Sequence, residues 1–181
     1  MALKATIFKV VTDISDLDRH YYASHTLTLA RHPSENDERM MLRLLAWCHY
    51  ASDRLVFTRG LSSDEEPEIW QHYDYGTPEL WIELGLPDER RLKKAASLAS
   101  QVVLFTYQSR AAAVWKQQML EKLASLSNLT VWHISDEQLT QLTALVQRNM
   151  TLQVTLQEGV IWISDSNNNV EVELELWQTA A

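Results

Sequence analysis

The spacing of apolar residues changes repeatedly along the chain, and each change predicts a new element. β-Branched and aromatic residues crowd residues 3–12, "LKATIFKVVT", and residues 20–31, "HYYASHTLTLAR", with the turn-forming "DISDLD" between them. That arrangement predicts an antiparallel strand pair. Ser34 is a good N-cap with Asp37 three positions on, and Met40, Leu44, Trp47, Cys48 and Ala51 recur at helical spacing, so a helix is predicted over about 35–51. Three short strands should follow, at 54–59 "RLVFTR", 68–73 "EIWQHY" and 80–85 "LWIELG", the last two joined by the turn-prone "DYGTP". Pro87 and Asp88 then start a helix with Leu92, Ala95, Ala96 and Ala99 on one side, and "QVVLFTY" at 101–107 reads as a buried strand. The predicted order over 35–107 is α-β-β-β-α-β.

Beyond it, "RAAAVWKQQMLEKLASL" predicts a helix, "LTVWHI" a strand, and Ser135 with Gln138 a capping box for the helix "DEQLTQLTALVQR". "MTLQVTLQEGVIWISDSNNNVEVELELW" predicts three strands, joined at Glu158-Gly159 and at "DSNNN". In the last of them Glu171, Glu173 and Glu175 share one face, a solvated one, and Val170, Val172, Leu174 and Leu176 the other. There is no internal repeat, low-complexity tract or linker, and four glycines with four prolines leave little for a flexible joint. The expectation is an α+β chain forming one domain over residues 1–181.

Composition narrows the class. At 181 residues with 46% apolar and 22% charged, the chain can bury a full core. Cys48 is the single cysteine, so no internal disulfide and no CxxC site can form, which suits a reducing cytoplasm. The N-terminal segment lacks the pattern of a signal peptide, and no segment reaches the roughly 20 apolar residues of a membrane helix. A cytoplasmic monomer without membrane contact is expected. A net charge of −8 argues against a general binder of phosphate backbones. The histidines, His20, His25, His32, His49, His72 and His133, show no zinc spacing, and neither a glycine-rich phosphate loop nor a GxSxG elbow is present. Arg31 and His32 lie just before a helix start and offer an anion contact, although capping alone explains the residues there. Cys48 falls within the apolar period of its helix and reads as a buried small hydrophobe.

The chemistry concentrates in "TPELWIELGLPDERRLKKA", residues 77–95. Strand alternation puts Trp81, Glu83 and Gly85 on the face opposite Leu80, Ile82 and Leu84, so Glu83 faces either solvent or a site. Together with the acidic "SDEEPE" that opens the preceding strand, the α-β-β-β-α-β order resembles the PD-(D/E)XK nuclease core. In that superfamily two carboxylates hold a divalent ion and a lysine two residues past the second carboxylate serves the attacking water. Glu66 precedes Glu83 by 17 positions and Glu68 by 15, both compatible with a hairpin that brings the acids together.

The stretches "LDRHYYASHTLTLARHPSENDERMMLRLLA", "GLSSDEEPEIW" and "LWIELGLPDERRLKKAASLASQVVLFTY" resemble the YaeQ family of bacterial proteins over much of residues 17–107. That resemblance implies a restriction-endonuclease-like α+β fold, with a core at about 35–107 flanked by N-terminal and C-terminal strands. It implies no established reaction. Where the nuclease motif needs its lysine, this chain has Gly85, and "RRLKKA" offers Arg91, Lys93 and Lys94 as replacements from the following helix, with Gly85 leaving room for one to reach back. The family pattern favours Lys94, and helix geometry places Lys93 nearer the core face.

The expected site is therefore Glu66 and Glu83 holding Mg²⁺ or Mn²⁺, Glu38 in the first turn of the first helix assisting, and Lys93 or Lys94 orienting a water toward a phosphodiester. Glu66 ranks above Glu68 because Glu66-Pro67 is a reversed Pro-acid pair. The alternative is a catalytically inactive nuclease-like scaffold that binds a protein or nucleic acid.

Overall fold

The computed structural model describes residues 4–59 and 65–181, so Leu3 of the first expected strand and Ser63 and Asp64 of "SDEEPE" lie outside the described residues. The described residues form four helices and two mixed sheets, an α+β fold, divided between two compact units.

The first unit takes the chain up to His49 together with Glu137–Leu174. β1 (Thr6–Asp16) and β2 (Tyr21–Arg31) are the expected antiparallel pair, in register from Thr6 opposite Arg31 to Asp16 opposite Tyr21. α1 (Asp37–His49) begins later than expected. Asn36 rather than Ser34 caps it, its Oδ1 accepting the Arg39 N–H at 2.9 Å, while the Ser34 hydroxyl meets His32 Nδ1 at 2.7 Å. Met40, Leu44, Trp47 and Cys48 are buried as their spacing requires. Arg31 is ion-paired with Asp37 across the start of this helix, so it serves the helix entrance.

The second unit runs from Tyr50 to Asp136 and adds Glu175–Ala181. Its strands are β3 (Val56–Phe57), β4 (Ile69–His72), β5 (Pro78–Leu84), β6 (Gln101–Thr106) and β7 (Leu129–His133), with α2 (Glu89–Leu98) between β5 and β6 and α3 (Ser109–Leu123) between β6 and β7. β3, β4 and β5 pair antiparallel, whereas β5, β6 and β7 are parallel, so α2 and α3 are the crossovers that parallel neighbours require. Both helices pack on one face of the sheet. Trp81, Val102, Leu104, Leu129 and Val131 from the strands form one buried cluster with Leu92, Ala95 and Ala99 of α2 and Trp115, Met119 and Leu123 of α3.

α4 (Asp136–Thr143) starts where the capping box predicts and ends five residues short of Arg148. β8 (Asn149–Gln157), β9 (Val160–Ser164) and β10 (Asn169–Glu173) complete the first sheet, in the order β10-β9-β8-β1-β2. The expected last strand divides at Leu174. β11 (Glu175–Gln178) pairs with β7 instead, giving the second sheet the order β11-β7-β6-β5-β4-β3. The alternation restarts with the change of sheet. Val170 and Val172 are buried opposite exposed Glu171 and Glu173, but Leu176, expected inside, is 50% exposed.

Candidate functional site

β5 carries its acid into the interior. Leu80, Trp81, Ile82, Glu83 and Leu84 are all buried, and Glu83 is only 3% exposed, so the solvent-facing alternative for this residue is excluded. Its face is the one that α2 and α3 cover, because Trp81, on the same side of the strand, belongs to their core cluster. A buried carboxylate is costly unless its oxygens are bonded. Glu83 Oε1 accepts the Trp81 indole N–H at 2.9 Å and the Arg91 Nε–H at 3.0 Å.

Arg91 reaches Glu83 because of how α2 begins. Gly85 has φ +103° and turns the chain out of β5 after its N–H has donated to the Phe105 carbonyl at 2.9 Å. Asp88 then caps α2, accepting the Arg91 N–H at 2.8 Å, so the Arg91 side chain leaves from the helix's first turn and folds back over the end of β5. Its Nη2 also donates to the Glu66 carbonyl at 3.2 Å. The expected role of Gly85, making room, is corrected here. A Cβ at that position would meet nothing within 4 Å, and it is the positive φ that requires glycine.

A second carboxylate stands beside Glu83. Glu68 is 7% exposed and sits just before β4, where its N–H donates at 3.1 Å to the carbonyl of Ile82, the residue next to Glu83. Burial pushes the Glu83 carboxyl above the usual glutamate range. The bonds from Arg91 and Trp81 pull it back, and the charge of Glu68 pushes it up again. Glu66 lies outside the ladder and is half-buried, and its carbonyl is the atom that meets Arg91.

The other expected site residues are placed as follows. Lys93 Nζ pairs with Glu89 Oε1 at 2.5 Å and Lys94 Nζ with Glu65 Oε1 at 3.3 Å, both lysine side chains being about half exposed at 54% and 46%. The cation hydrogen-bonded to Glu83 is thus Arg91. Glu38 is half-buried in the first turn of α1, in the first compact unit, whereas Glu66 and Glu83 belong to the second. Among the described residues, no group of three or more His, Cys, Asp or Glu side chains is gathered in a way that could hold a metal ion. The acids brought together at Glu83 are a pair, Glu68 and Glu83.

Outside this pair lies a cleft of about 440 Å³ lined by Glu65, Asp88, Arg90, Arg91 and Lys94. Three cations and two acids line one concavity, and one of the guanidiniums, that of Arg91, is bound to a buried carboxylate. That arrangement can receive an anion from solvent and hold it near the Glu68–Glu83 pair.

Two members of this site carried readable signals. "EPEIW" contains Pro67-Glu68, a Pro-acid pair in forward order directly before a strand, which outweighs the reversed pair that favoured Glu66. Arg91 follows the N-cap Asp88 by three, which fixes it in the first turn, nearest the strand that α2 has just left.

Comparison with known proteins gives one consistent answer. Residues 1–174 match the family described as YaeQ protein. The chain is 58% identical over 178 residues to the uncharacterised protein YaeQ of Escherichia coli (strain K12), covering 98% of each chain, and equally so to that of Salmonella typhi. Among solved structures, the YaeQ protein from Xanthomonas axonopodis pv. citri superposes with a TM-score of 0.94 at 40% identity, over 98% of this chain and 99% of that one. The YaeQ protein from Pseudomonas syringae gives 0.92 at 32% identity, over 97% of each.

Proposed function

The chain belongs to the YaeQ family, and from that premise we propose that it is a nuclease-like protein acting on phosphodiesters of nucleic acid, with its site at Glu68, Glu83 and Arg91. The observation that carries this reading is a pair of buried carboxylates at the end of the β4–β5 ladder, Glu68 close enough for its charge to act on Glu83, with a guanidinium folded onto Glu83. The succession α1-β3-β4-β5-α2-β6 supports it, since it has the αβββαβ order of the PD-(D/E)XK core.

The donor set suits a hard divalent cation. Two carboxylates that repel each other in a buried place gain most from an ion between them, and oxygen ligands are what Mg²⁺ and Mn²⁺ prefer. Such an ion, when bound, would polarise a phosphoryl oxygen and lower the pKa of a bound water. Glu68 and Glu83 would hold it. Arg91 supplies the cation that the motif lysine would supply from the position Gly85 occupies, and Arg90 and Lys94 in the cleft would pair with the flanking phosphates. Lys93 is left to its ion pair with Glu89.

One observation favours a second reading, a nuclease-like scaffold that binds nucleic acid or protein without cleaving it. Arg91 already donates to Glu83 Oε1, an oxygen that a metal ion would need. Calorimetric titration with Mn²⁺ and Mg²⁺ separates the readings, combined with incubation on single- and double-stranded DNA and RNA with and without EDTA. Metal uptake and EDTA-sensitive cleavage, both lost in Glu83→Gln, support the enzyme. Metal-independent retention of nucleic acid without cleavage, weakened in Arg90→Ala, supports the scaffold.

A further inference from the structure

A second cluster of reactive side chains lies at the carboxyl ends of the parallel strands, on the face where α2 and α3 pack. β6 ends at Thr106 and β7 at His133, opposite one another in the ladder and one alternation beyond the core residues Leu104 and Val131. Thr106 is fully buried and His133 is 4% exposed. His133 Nδ1 lies 2.8 Å from Thr106 Oγ1, and His133 Nε2 lies 3.0 Å from Ser109 Oγ at the start of α3. The crevice outside the carboxyl ends of parallel strands is where open α/β sheets place their ligands.

The hydrogen bonds fix the imidazole tautomer. Thr106 Oγ1 donates its one proton to the Trp132 carbonyl at 3.1 Å, so it can only accept from His133, which requires the proton to sit on Nδ1. Nε2 then carries the lone pair and accepts from Ser109 O–H. The ring is held flat against Trp177, centroids 4.5 Å apart and planes 11° apart, which fixes its orientation as well. Burial is the main influence on this imidazole and pushes it below the ordinary histidine value. The charges of Glu175 and Asp136 push it up, that of Lys116 down, and the backbone bond with Thr106 up. The imidazole is therefore neutral at pH 7 and able to accept a proton.

Ser109 itself is presented at a sharp strand-to-helix turn. The preceding Gln108 has φ +59°, a left-handed conformation that non-glycine residues seldom adopt. The Ser109 N–H is taken by Asp136 Oδ1 at 2.9 Å, and the first bond within the helix runs from the Ala112 N–H to the Gln108 carbonyl at 2.9 Å. The N–H groups of Arg110 and Ala111, in the first turn between them, have no acceptor within the helix and are those that would receive an oxyanion beside Ser109.

We propose that Ser109 and His133 form a nucleophile–base pair, oriented by Thr106, that cleaves a carboxylic ester. The Ser109 oxygen bonds to the ester carbonyl carbon as His133 Nε2 takes its proton. The tetrahedral adduct collapses, the C–O bond to the alcohol breaks, and the alcohol leaves with the proton from His133. Water then adds to the acyl-serine, giving its proton to Nε2, and the carboxylic acid departs as Ser109 regains a proton. The pair is independent of the Glu68–Glu83 site and needs no metal of its own.

The test is labelling with a fluorophosphonate, followed by intact mass and peptide mapping, in the presence of EDTA. The expected result is a single adduct at Ser109 with loss of fluoride, absent in Ser109→Ala and formed about 10²-fold or more slowly in His133→Gln, the size of a general-base contribution. Ser109→Ala, which removes one oxygen from a half-buried position, is compared by thermal melt to show that it folds. Thr106→Val, a positioning change, should lower the rate and alter its pH profile, because the imidazole loses the partner that fixes its tautomer. A wild-type protein that takes no label, or a label that persists in Ser109→Ala, would overturn the proposal.

Discussion

Arg91 and Glu83, eight residues apart, are joined by a 3.0 Å hydrogen bond from Nε to Oε1 that closes the turn between β5 and α2. The carboxylate is almost wholly buried and the guanidinium side chain 27% exposed, so the pair places one charge inside and the other in the lining of the cleft. That bond compensates the burial of Glu83, and a second one, from Arg91 Nη2 to the Glu66 carbonyl, fixes α2 against the segment before β4.

Removing Arg91 should therefore cost more than an exposed ion pair would. Arg91→Met is expected to lower stability by about 2–4 kcal/mol in urea unfolding, toward the range for breaking a buried pair and above the 0–1 kcal/mol of surface pairs. A loss below 0.5 kcal/mol by that measurement would show that water reaches Glu83 freely.

Glu83 also sets a pH dependence. Its folded carboxyl titrates above the unfolded value of 4.5, so between these two values the folded state binds the extra proton and stability falls as pH rises. In Glu83→Gln that downward slope should vanish, leaving the variant relatively more stable above the window than below it. In Arg91→Met the window should extend to higher pH, because one of the groups that lower the Glu83 pKa is gone. Urea midpoints at intervals between pH 4 and 8 measure both.

Gly85→Ala tests whether the turn rests on torsion or on space. Because a Cβ there meets nothing within 4 Å while φ is +103°, the whole cost should be torsional, about 1–3 kcal/mol. An unchanged midpoint would mean that the turn relaxes without glycine.

These residues show where the sequence was legible. Periodicity located α2 and β5 because Leu92, Ala95, Trp81 and Ile82 follow the spacings that burial imposes. It left open which way Glu83 faced, since alternation distinguishes two faces and does not say which of them a helix covers. The partner of Glu83 was among three basic residues of one helix turn, and only the exit angle set by Gly85 and Asp88 selects Arg91 over Lys93 and Lys94. Ser109 and His133 were illegible for a different reason. They lie 24 residues apart, at the start of α3 and at the end of β7, and no spacing rule along the chain encodes a contact between the two ends of a crossover unit. Leu176 was misplaced because the period-two pattern runs on through Leu174, where the chain leaves one sheet for the other.

His49, at the last position of α1, should dominate the acid limb of stability. Burial, with help from the charge of Arg19, pushes its imidazole down to about 4, against the nearby charges of Asp16 and Asp18. Between that value and the unfolded 6.5 the unfolded chain binds the extra proton, so stability is full above 6.5 and is lost as pH falls toward 4. At 1.36 kcal/mol per unit the loss amounts to about 3 kcal/mol. His49→Gln should show a flatter profile over that interval, while its behaviour from pH 7 to 9 should parallel the wild type.

The entrance to α1 holds an ion pair that is almost wholly enclosed. Glu35 Oε1 accepts from Arg43 Nη2 at 2.7 Å, and Oε2 from Arg39 Nη1 at 2.7 Å, with the side chains of Glu35 and Arg43 exposed by only 2% and 6%. Arg43 Nη2 also donates to the Ala30 carbonyl at 3.1 Å, joining the end of β2 to the second turn of α1. Arg43→Met leaves Glu35 charged inside the fold with only Arg39, so a loss of about 3–5 kcal/mol is expected. Arg39→Met, at a side chain 14% exposed, should cost less because the buried cation remains. The informative case is the double change Glu35→Met with Arg43→Met. It removes both desolvation costs along with the attraction, so it should recover most of what Arg43→Met loses, and the coupling energy of the cycle, read from urea midpoints, should exceed that of an exposed pair. A double variant no more stable than Arg43→Met would assign the loss to the Ala30 contact instead of the buried charge.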